Sequence, residues 1–113
     1  MALFRIYLVI VVAAIIAYTL PVIANHGMGL FGIYFGDIAA MTWPGQFNVD
    51  FLSFLTLGAL WLAWRHHFSA GGIVLGLFIY LGGMPFLATY LLVHSFRTKG
   101  DMKALLLGEG RAT

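Results

Sequence analysis

The chain contains no cysteine and very few charged side chains. Of its 113 residues, only 9% are Asp, Glu, Lys or Arg, whereas 62% are hydrophobic, and the mean hydropathy is +0.97. The absence of cysteine excludes a disulfide framework, a thiolate metal site and a thiol nucleophile. The shortage of charge excludes a soluble domain, because the surface of such a domain needs polar cover. The composition therefore predicts an all-α integral membrane protein with a single domain over residues 1–113.

Catalytic motifs are missing as well. The sequence has no Gly-rich phosphate loop behind a strand, no His-Glu zinc motif and no serine nucleophile signature. Its net charge of +2 comes from six Lys and Arg residues, four of which lie in the last 17 positions. A basic tail beside apolar segments indicates contact with lipid headgroups rather than with nucleic acid. We therefore expect a protein that binds membrane lipids and is not an enzyme.

The apolar residues fall into three runs, each long enough to cross roughly 30 Å of hydrocarbon as a helix. We predict transmembrane helices over residues 3–24, 47–65 and 71–96, followed by a polar, basic tail over residues 97–113. The first run is longer than the roughly 7–15 apolar residues of a signal peptide, so we expect it to remain in the protein.

Residues 28–43 are the ambiguous part of the chain, with several glycines and aromatics and one charge, Asp37. A fourth span here would be short, and a central carboxylate would cost roughly 2.5–3.5 kcal/mol. We predict instead a short interfacial or re-entrant helix between the first two spans. The N-terminus and the tail then lie on opposite sides of the membrane. With four spans they would share a side, and the distribution of Lys and Arg does not decide the orientation.

Tryptophans mark both ends of the middle span. The Trp-Pro-Gly sequence at residues 43–45 predicts a turn before it, and Trp61 and Trp64 precede Arg65 at its end. Aromatic and cationic side chains are enriched where a helix meets the membrane–water boundary. The predicted interfacial anchors are Trp43, Trp61, Trp64 and Arg65.

Small residues recur at helical spacing on the first and last spans. Lipid gives no hydrophobic drive between helices, so small residues favour association by letting two backbones approach closely. The number of such positions exceeds what one internal contact needs, which indicates other transmembrane subunits or self-association through these faces. The predicted helix-packing residues are Ala13, Ala17, Gly72, Gly76 and Gly83.

The four histidines are the side chains suited to ligate haem iron or the magnesium of bacteriochlorophyll. With three spans, His26 and His94 end the first and last helices on one side, where they could face each other as axial ligands. His67 follows Ala63 at the spacing of the small-xxx-His pattern in antenna polypeptides. We favour the alternative in which all the histidines are interfacial, with their apolar bodies anchored and polar edges in water. No metal site is expected.

Asp37 and Asp50 are the acidic residues outside the tail. A buried carboxylate is the usual centre of a small proton-coupled exporter, so an oligomeric transporter or channel is an alternative function. We place Asp50 on the first turn of the middle helix, where the helix dipole stabilises its charge without any transport role.

Single residues punctuate the apolar runs, namely Asp37, Trp43, Pro44, Phe47, Asp50, Ser53, Arg65 and the run Gly82-Gly83-Met84-Pro85-Phe86. In these residues the chain resembles a bacterial domain-of-unknown-function family of small membrane proteins. The resemblance implies three spans with a short helix between the first two, and it implies no catalytic or binding residues. The chain departs from the family in its adjacent histidines and its longer polar tail. The surplus of small-residue faces and the lack of catalytic motifs lead us to predict a non-catalytic accessory or assembly subunit of a larger complex in the bacterial cytoplasmic membrane.

Overall fold

The computed structural model describes residues 1–111, and this part of the chain is helical and contains no strand. Three helices are long and apolar enough to cross a membrane, and a shorter apolar helix lies between the first two. This confirms the predicted all-α class and the order of its helices, although the third long helix is not straight. The helices are α1 (Ala2–His26), α2 (Leu30–Ala40), α3 (Trp43–Arg65), α4 (Ala70–Arg97) and α5 (Met102–Leu107), followed by a 3₁₀ turn at Glu109–Arg111.

Helix α4 is not straight, because it folds back on itself at Gly83, whose φ of 57° and ψ of −142° are not helical. Its two limbs, residues 70–82 and 84–97, pack side by side. The rings of Phe78 and Phe86 lie 5.8 Å apart across the reversal. The second limb then returns to the turn that precedes α4, where the rings of His94 and His66 are 6.0 Å apart. Helix α4 therefore begins and ends at the same end of the molecule.

The local sequence explains why the reversal occurs at this position. Gly83 lies close to a backbone region that essentially only glycine adopts, and Pro85 lacks the N–H that would continue the first limb. Each limb has only 13 or 14 residues, roughly 20 Å at 1.5 Å per residue, which is short of the ~30 Å hydrocarbon thickness. The tip of the hairpin lies beside Phe51, since a Cβ on Gly83 would be 3.8 Å from its ring.

Helix α1 runs antiparallel to the second limb of α4. Arg5 donates from Nε to Ser95 Oγ and from Nη2 to the Ser95 carbonyl, both at 2.9 Å, and its guanidinium lies 3.9 Å from the centre of the Phe96 ring. One turn later Leu8 is fully buried. The first residues of the chain therefore lie beside the end of α4. The predicted placement of the N-terminus and the tail on opposite sides is wrong, because the reversal at Gly83 brings the chain back.

Helices α3 and α4 approach closely through glycine. A Cβ on Gly76 would lie 2.9 Å from the Ala59 carbonyl oxygen, and one on Gly72 would lie 2.6 Å from His66 Cβ. Both glycines are buried. The small-residue face of α4 is therefore used inside the chain, against α3, rather than left open for an external helix.

Helix α2 packs antiparallel to the first turns of α3. Asn48 Nδ2 donates to the Tyr34 carbonyl at 3.0 Å, and the Tyr34 hydroxyl donates to the Asn48 carbonyl. A Cβ on Gly45 would collide with the Asp37 backbone, so glycine is required where the two helices meet.

Helix α3 begins earlier than the sequence predicts. Trp43 is its first residue, so the Trp-Pro-Gly sequence forms the first helical turn rather than a turn before the helix. Proline is tolerated there because the first N–H groups of a helix have no partner within it. Asp50 consequently lies two turns into α3 and is exposed. Its predicted position on the first turn is wrong.

The Gly83→Ala variant should be less stable than the wild type by about 1–3 kcal/mol, because a Cβ is strained in this backbone conformation. Thermal unfolding in detergent, followed by circular dichroism, measures the change. Gly71→Ala is the matched control, since Gly71 lies in the first limb of α4 with nothing within 4 Å of a Cβ. It should be neutral or stabilising by up to ~1 kcal/mol. Equal stability of Gly83→Ala and wild type would contradict the hairpin.

Candidate functional site

The fold gathers all six Lys and Arg residues of the chain at one end. The start of α1, the ends of α3 and α4, and α5 with the turn after it all meet there. Near the end of the described chain, the Arg111 guanidinium lies 4.0 Å from the centre of a Trp64 ring. We call this region the cationic end. Its charged residues are Arg5, Arg65, Arg97, Lys99, Lys103 and Arg111.

Arg65 is the buried centre of the cationic end, with 7% of its surface exposed. Its Nε donates to the Leu105 carbonyl at 2.6 Å and its Nη2 to the Ala104 carbonyl at 3.3 Å. Its Nη1 donates to the Tyr90 hydroxyl at 2.9 Å. Two of these three acceptors are carbonyls at the C-terminal end of α5, where the helix dipole favours a cation. Arg65 therefore fastens α5 to α3 and α4.

Helix α5 is short enough to need such partners, because an isolated helix of six residues is unstable in water. At its N-terminus, Asp101 accepts hydrogen bonds from the backbone N–H groups of Lys103 and Ala104, at 3.1 and 3.4 Å. At its other end, the indole N–H of Trp61 donates to the Leu106 carbonyl at 2.9 Å. Ala104 and Leu105 are buried. The predicted polar tail is thus folded over residues 97–111.

Tyr90 links Arg65 to two histidines. Its hydroxyl lies 2.5 Å from His66 Nε2, and its ring is 4.2 Å from the His94 ring between centroids. Burial lowers the pKa of His66, and the charges of Arg65 and His67 lower it further. The lowered pKa favours the neutral imidazole, whose Nε2 can accept a hydrogen bond from the Tyr90 hydroxyl while the Tyr90 oxygen accepts one from Arg65.

A cleft of about 340 Å³ opens beside Arg65, His66 and His94. Its walls come from the turn after α3, the end of α4 and the residues that follow α5, so it depends on the folded tail. The side chains in these walls are cationic or imidazole, apart from one carboxylate and one hydroxyl. The charged and imidazole residues in the walls are Arg65, His66, His67, His94, Arg97 and Glu109.

The predicted interfacial anchors differ in their surroundings. Trp43 is 73% exposed at the far end of α3. Trp61 and Trp64 are half-buried at the cationic end, where each contacts the tail. Arg65 lies at the same end, but its guanidinium is largely buried and donates to two carbonyls and the Tyr90 hydroxyl.

The structure does not bring His26 and His94 together. Arg5 lies beside Ser95, and His26 is 21 residues further along α1, roughly 30 Å away at 1.5 Å per residue. The prediction that His26 and His94 lie on one side of the membrane is wrong, because the reversal at Gly83 brings His94 back to the cationic end. His67 is exposed at the cleft. Within residues 1–111, no three His, Asp or Glu side chains converge as a metal site requires.

The packing residues predicted on α1 face away from α4. Ala13 and Ala17 are exposed, whereas Leu8 faces α4 and is buried. At 100° per residue, these alanines lie 140° and 180° around the helix from Leu8.

Sequence reasoning missed Tyr90 and Ser95, which hold two arginines of the cationic end in place. Both are buried and both contact an arginine through a side-chain oxygen. The available signal was their spacing, since Tyr90, His94 and Arg97 recur every three or four residues on one face of the second limb.

Comparisons of the chain with protein-family models, with curated proteins and with solved structures find no match.

Proposed function

We propose that this protein is a non-catalytic accessory or assembly subunit that packs against other transmembrane helices in the bacterial cytoplasmic membrane. The observation that supports this function is the outward face of α1. The helix touches the rest of the chain along one face, which contains Leu8, and is otherwise exposed over most of its length.

The exposed face of α1 has the composition of a helix–helix interface in lipid. Ala13, Ala17 and Ala24 are all exposed, and they lie within about 40° of one another at 100° per residue. This alanine face is opposite the face that packs on α4. Small residues at these spacings let a second backbone approach, which favours association within a bilayer. The glycines of α4 serve an internal contact, so the proposal depends on α1 alone.

Single-cysteine crosslinking in native membranes tests the proposal, and the chain has no cysteine of its own to give background. Ala17→Cys, labelled with a short thiol-specific photoreactive reagent that inserts into C–H bonds of a neighbouring helix, should give a discrete adduct. Tyr18→Cys is the matched control, because Tyr18 is exposed but lies 100° from Ala17 on the helix. An adduct of twice the subunit mass indicates self-association, and any other discrete mass indicates a different subunit.

The Ala17→Leu variant measures how strongly the alanine face of α1 associates with its partner. Overpacking the alanine face should weaken association by roughly 1–3 kcal/mol, which is about 5- to 150-fold in the dissociation constant. Co-purification in mild detergent should fall accordingly. Equal adducts from Ala17→Cys and Tyr18→Cys, or unchanged co-purification of Ala17→Leu, would show that this face contacts lipid only.

Two experiments address the alternative functions. An absorption spectrum of the purified protein tests for haem or bacteriochlorophyll. Proton flux into liposomes, compared between wild type and Asp50→Asn, tests for a proton-coupled transporter. We expect no pigment band and no flux that depends on Asp50, since that carboxylate is exposed on α3.

A further inference from the structure

The cleft at the cationic end has features of a binding site for an anion. Its volume of about 340 Å³ falls in the ~300–1,000 Å³ range of small-ligand sites. Arg65 lines the cleft and is fixed by carbonyl and hydroxyl acceptors, and within residues 1–111 none of its hydrogen-bond partners is a carboxylate. Its charge is therefore not neutralised by the groups that hold it in place.

A second arginine stands at the edge of the cleft. Arg97 is exposed at the end of α4, and the imidazoles of His67 and His94 line the wall beside it. Arginine presents several N–H donors in a planar fork that matches the oxygens of a phosphate. Glu109 is the one carboxylate in the wall, and it is exposed on the 3₁₀ turn after α5. The positive groups outnumber it.

The depth of the cleft in the membrane favours one kind of ligand. Trp61 and Trp64 lie within one turn of Arg65, and tryptophan is enriched at the level of lipid headgroups. Arg5, Lys99, Lys103 and Arg111 surround the same end. An anion at this level is most readily the headgroup of a phospholipid, to which clustered basic side chains are attracted.

The geometry points to a phosphate-binding site between Arg65, Arg97 and His67, occupied by the headgroup of an anionic phospholipid. The site goes beyond the proposed subunit function, because it lies at the cationic end and not on the alanine face of α1. The phosphate oxygens accept from Arg97, and the fixed positive charge of Arg65, which lines the cleft, attracts them further, while the acyl chains run along the helices.

Binding is measured with the protein in an uncharged detergent, by native mass spectrometry against dioleoylphosphatidylglycerol. Arg97→Gln should weaken binding by roughly tenfold or more, since a hydrogen bond to a charged group contributes ≈ 1.5–3 kcal/mol. Lys103→Gln is the matched control. It removes the same charge from the same end outside the cleft, and should change the affinity by less than about twofold.

A third variant is expected to strengthen lipid binding instead of weakening it. Glu109→Gln removes the carboxylate from the wall and should strengthen binding by roughly two- to fivefold, the range of a weak exposed charge interaction. This result cannot come from a loss of folding. An equal loss in Arg97→Gln and Lys103→Gln, or no gain in Glu109→Gln, would overturn the proposal in favour of general attraction to the cationic end.

Two further ligands separate the sources of the phosphate. Dioleoylglycerol has the same acyl chains without phosphate, and binding as tight as that of phosphatidylglycerol would overturn the proposal. Inorganic phosphate tests a soluble source. If it binds with the same dependence on Arg97 and Glu109 while the lipid does not, the phosphate site stands and its lipid occupant is wrong. Absence of binding for both overturns the site altogether.

Discussion

Reporter fusions before Met1 and after Thr113 should both report the cytoplasm. The first residues of α1 lie beside the end of α4, and a Cβ on Gly100 would be 3.6 Å from Met1 Cβ. The two termini of the described chain therefore share one side, whichever side that is. All six Lys and Arg residues lie at this end, and an excess of Lys and Arg marks the cytoplasmic side of a membrane protein.

A third reporter, inserted after Met41, should report the opposite side. Met41 lies in the turn between α2 and α3, at the far end of α3 from Arg65. Together the three fusions test the hairpin and the orientation separately. A tail reporter on the opposite side from the N-terminal reporter would mean that α4 crosses as a single straight helix, which contradicts the hairpin. Both terminal reporters outside the cell would leave the hairpin intact and contradict the assignment of orientation from charge.

The predictable part of the fold is the set of long helices, because apolar runs of about 20 residues leave few alternatives in a chain this hydrophobic. The hairpin in α4 is harder. Gly82, Gly83 and Pro85 predict a bend, but a bend and a full reversal have the same local sequence. The difference arises from contacts far apart in the chain, such as Phe86 on Phe78 and Tyr90 against Arg65. One missed reversal then gives the wrong side for the tail and for His94.

The burial of Arg65 was equally hard to predict from the local sequence. Arg65 follows a tryptophan at a helix end, a pattern typical of an interfacial anchor. It is buried only because α5 packs over it, about 40 residues further along the chain. In the sequence, residues 104–107 are a short apolar run in an otherwise polar tail. Such a run is equally suited to lie on the membrane surface, so its partner could not be identified.

The Arg65→Met variant should lose roughly 2–4 kcal/mol of stability and should release α5. Methionine fills much of the same space but donates no hydrogen bond, so the Leu105 carbonyl loses its partner and the end of α5 loses its cation. A hydrogen bond to a charged group contributes ≈ 1.5–3 kcal/mol, and the Tyr90 hydroxyl loses one as well. Thermal unfolding followed by circular dichroism measures the stability. The rate of tryptic cleavage after Lys103, on the first turn of α5, measures the release.

Two matched variants decide whether the effect belongs to the hydrogen bonds of Arg65 or only to its charge. Arg97→Met removes the same charge at the same end, but Arg97 is exposed, so its stability should stay within about 0.5 kcal/mol of wild type. Arg65→Lys keeps the charge and loses the planar fork that reaches three acceptors, so it should fall between Arg65→Met and wild type. Stability and cleavage rates of Arg65→Met that match those of Arg97→Met would contradict a fastening role for Arg65. The tail would then be held by the apolar contacts of Ala104 and Leu105, which both variants leave in place.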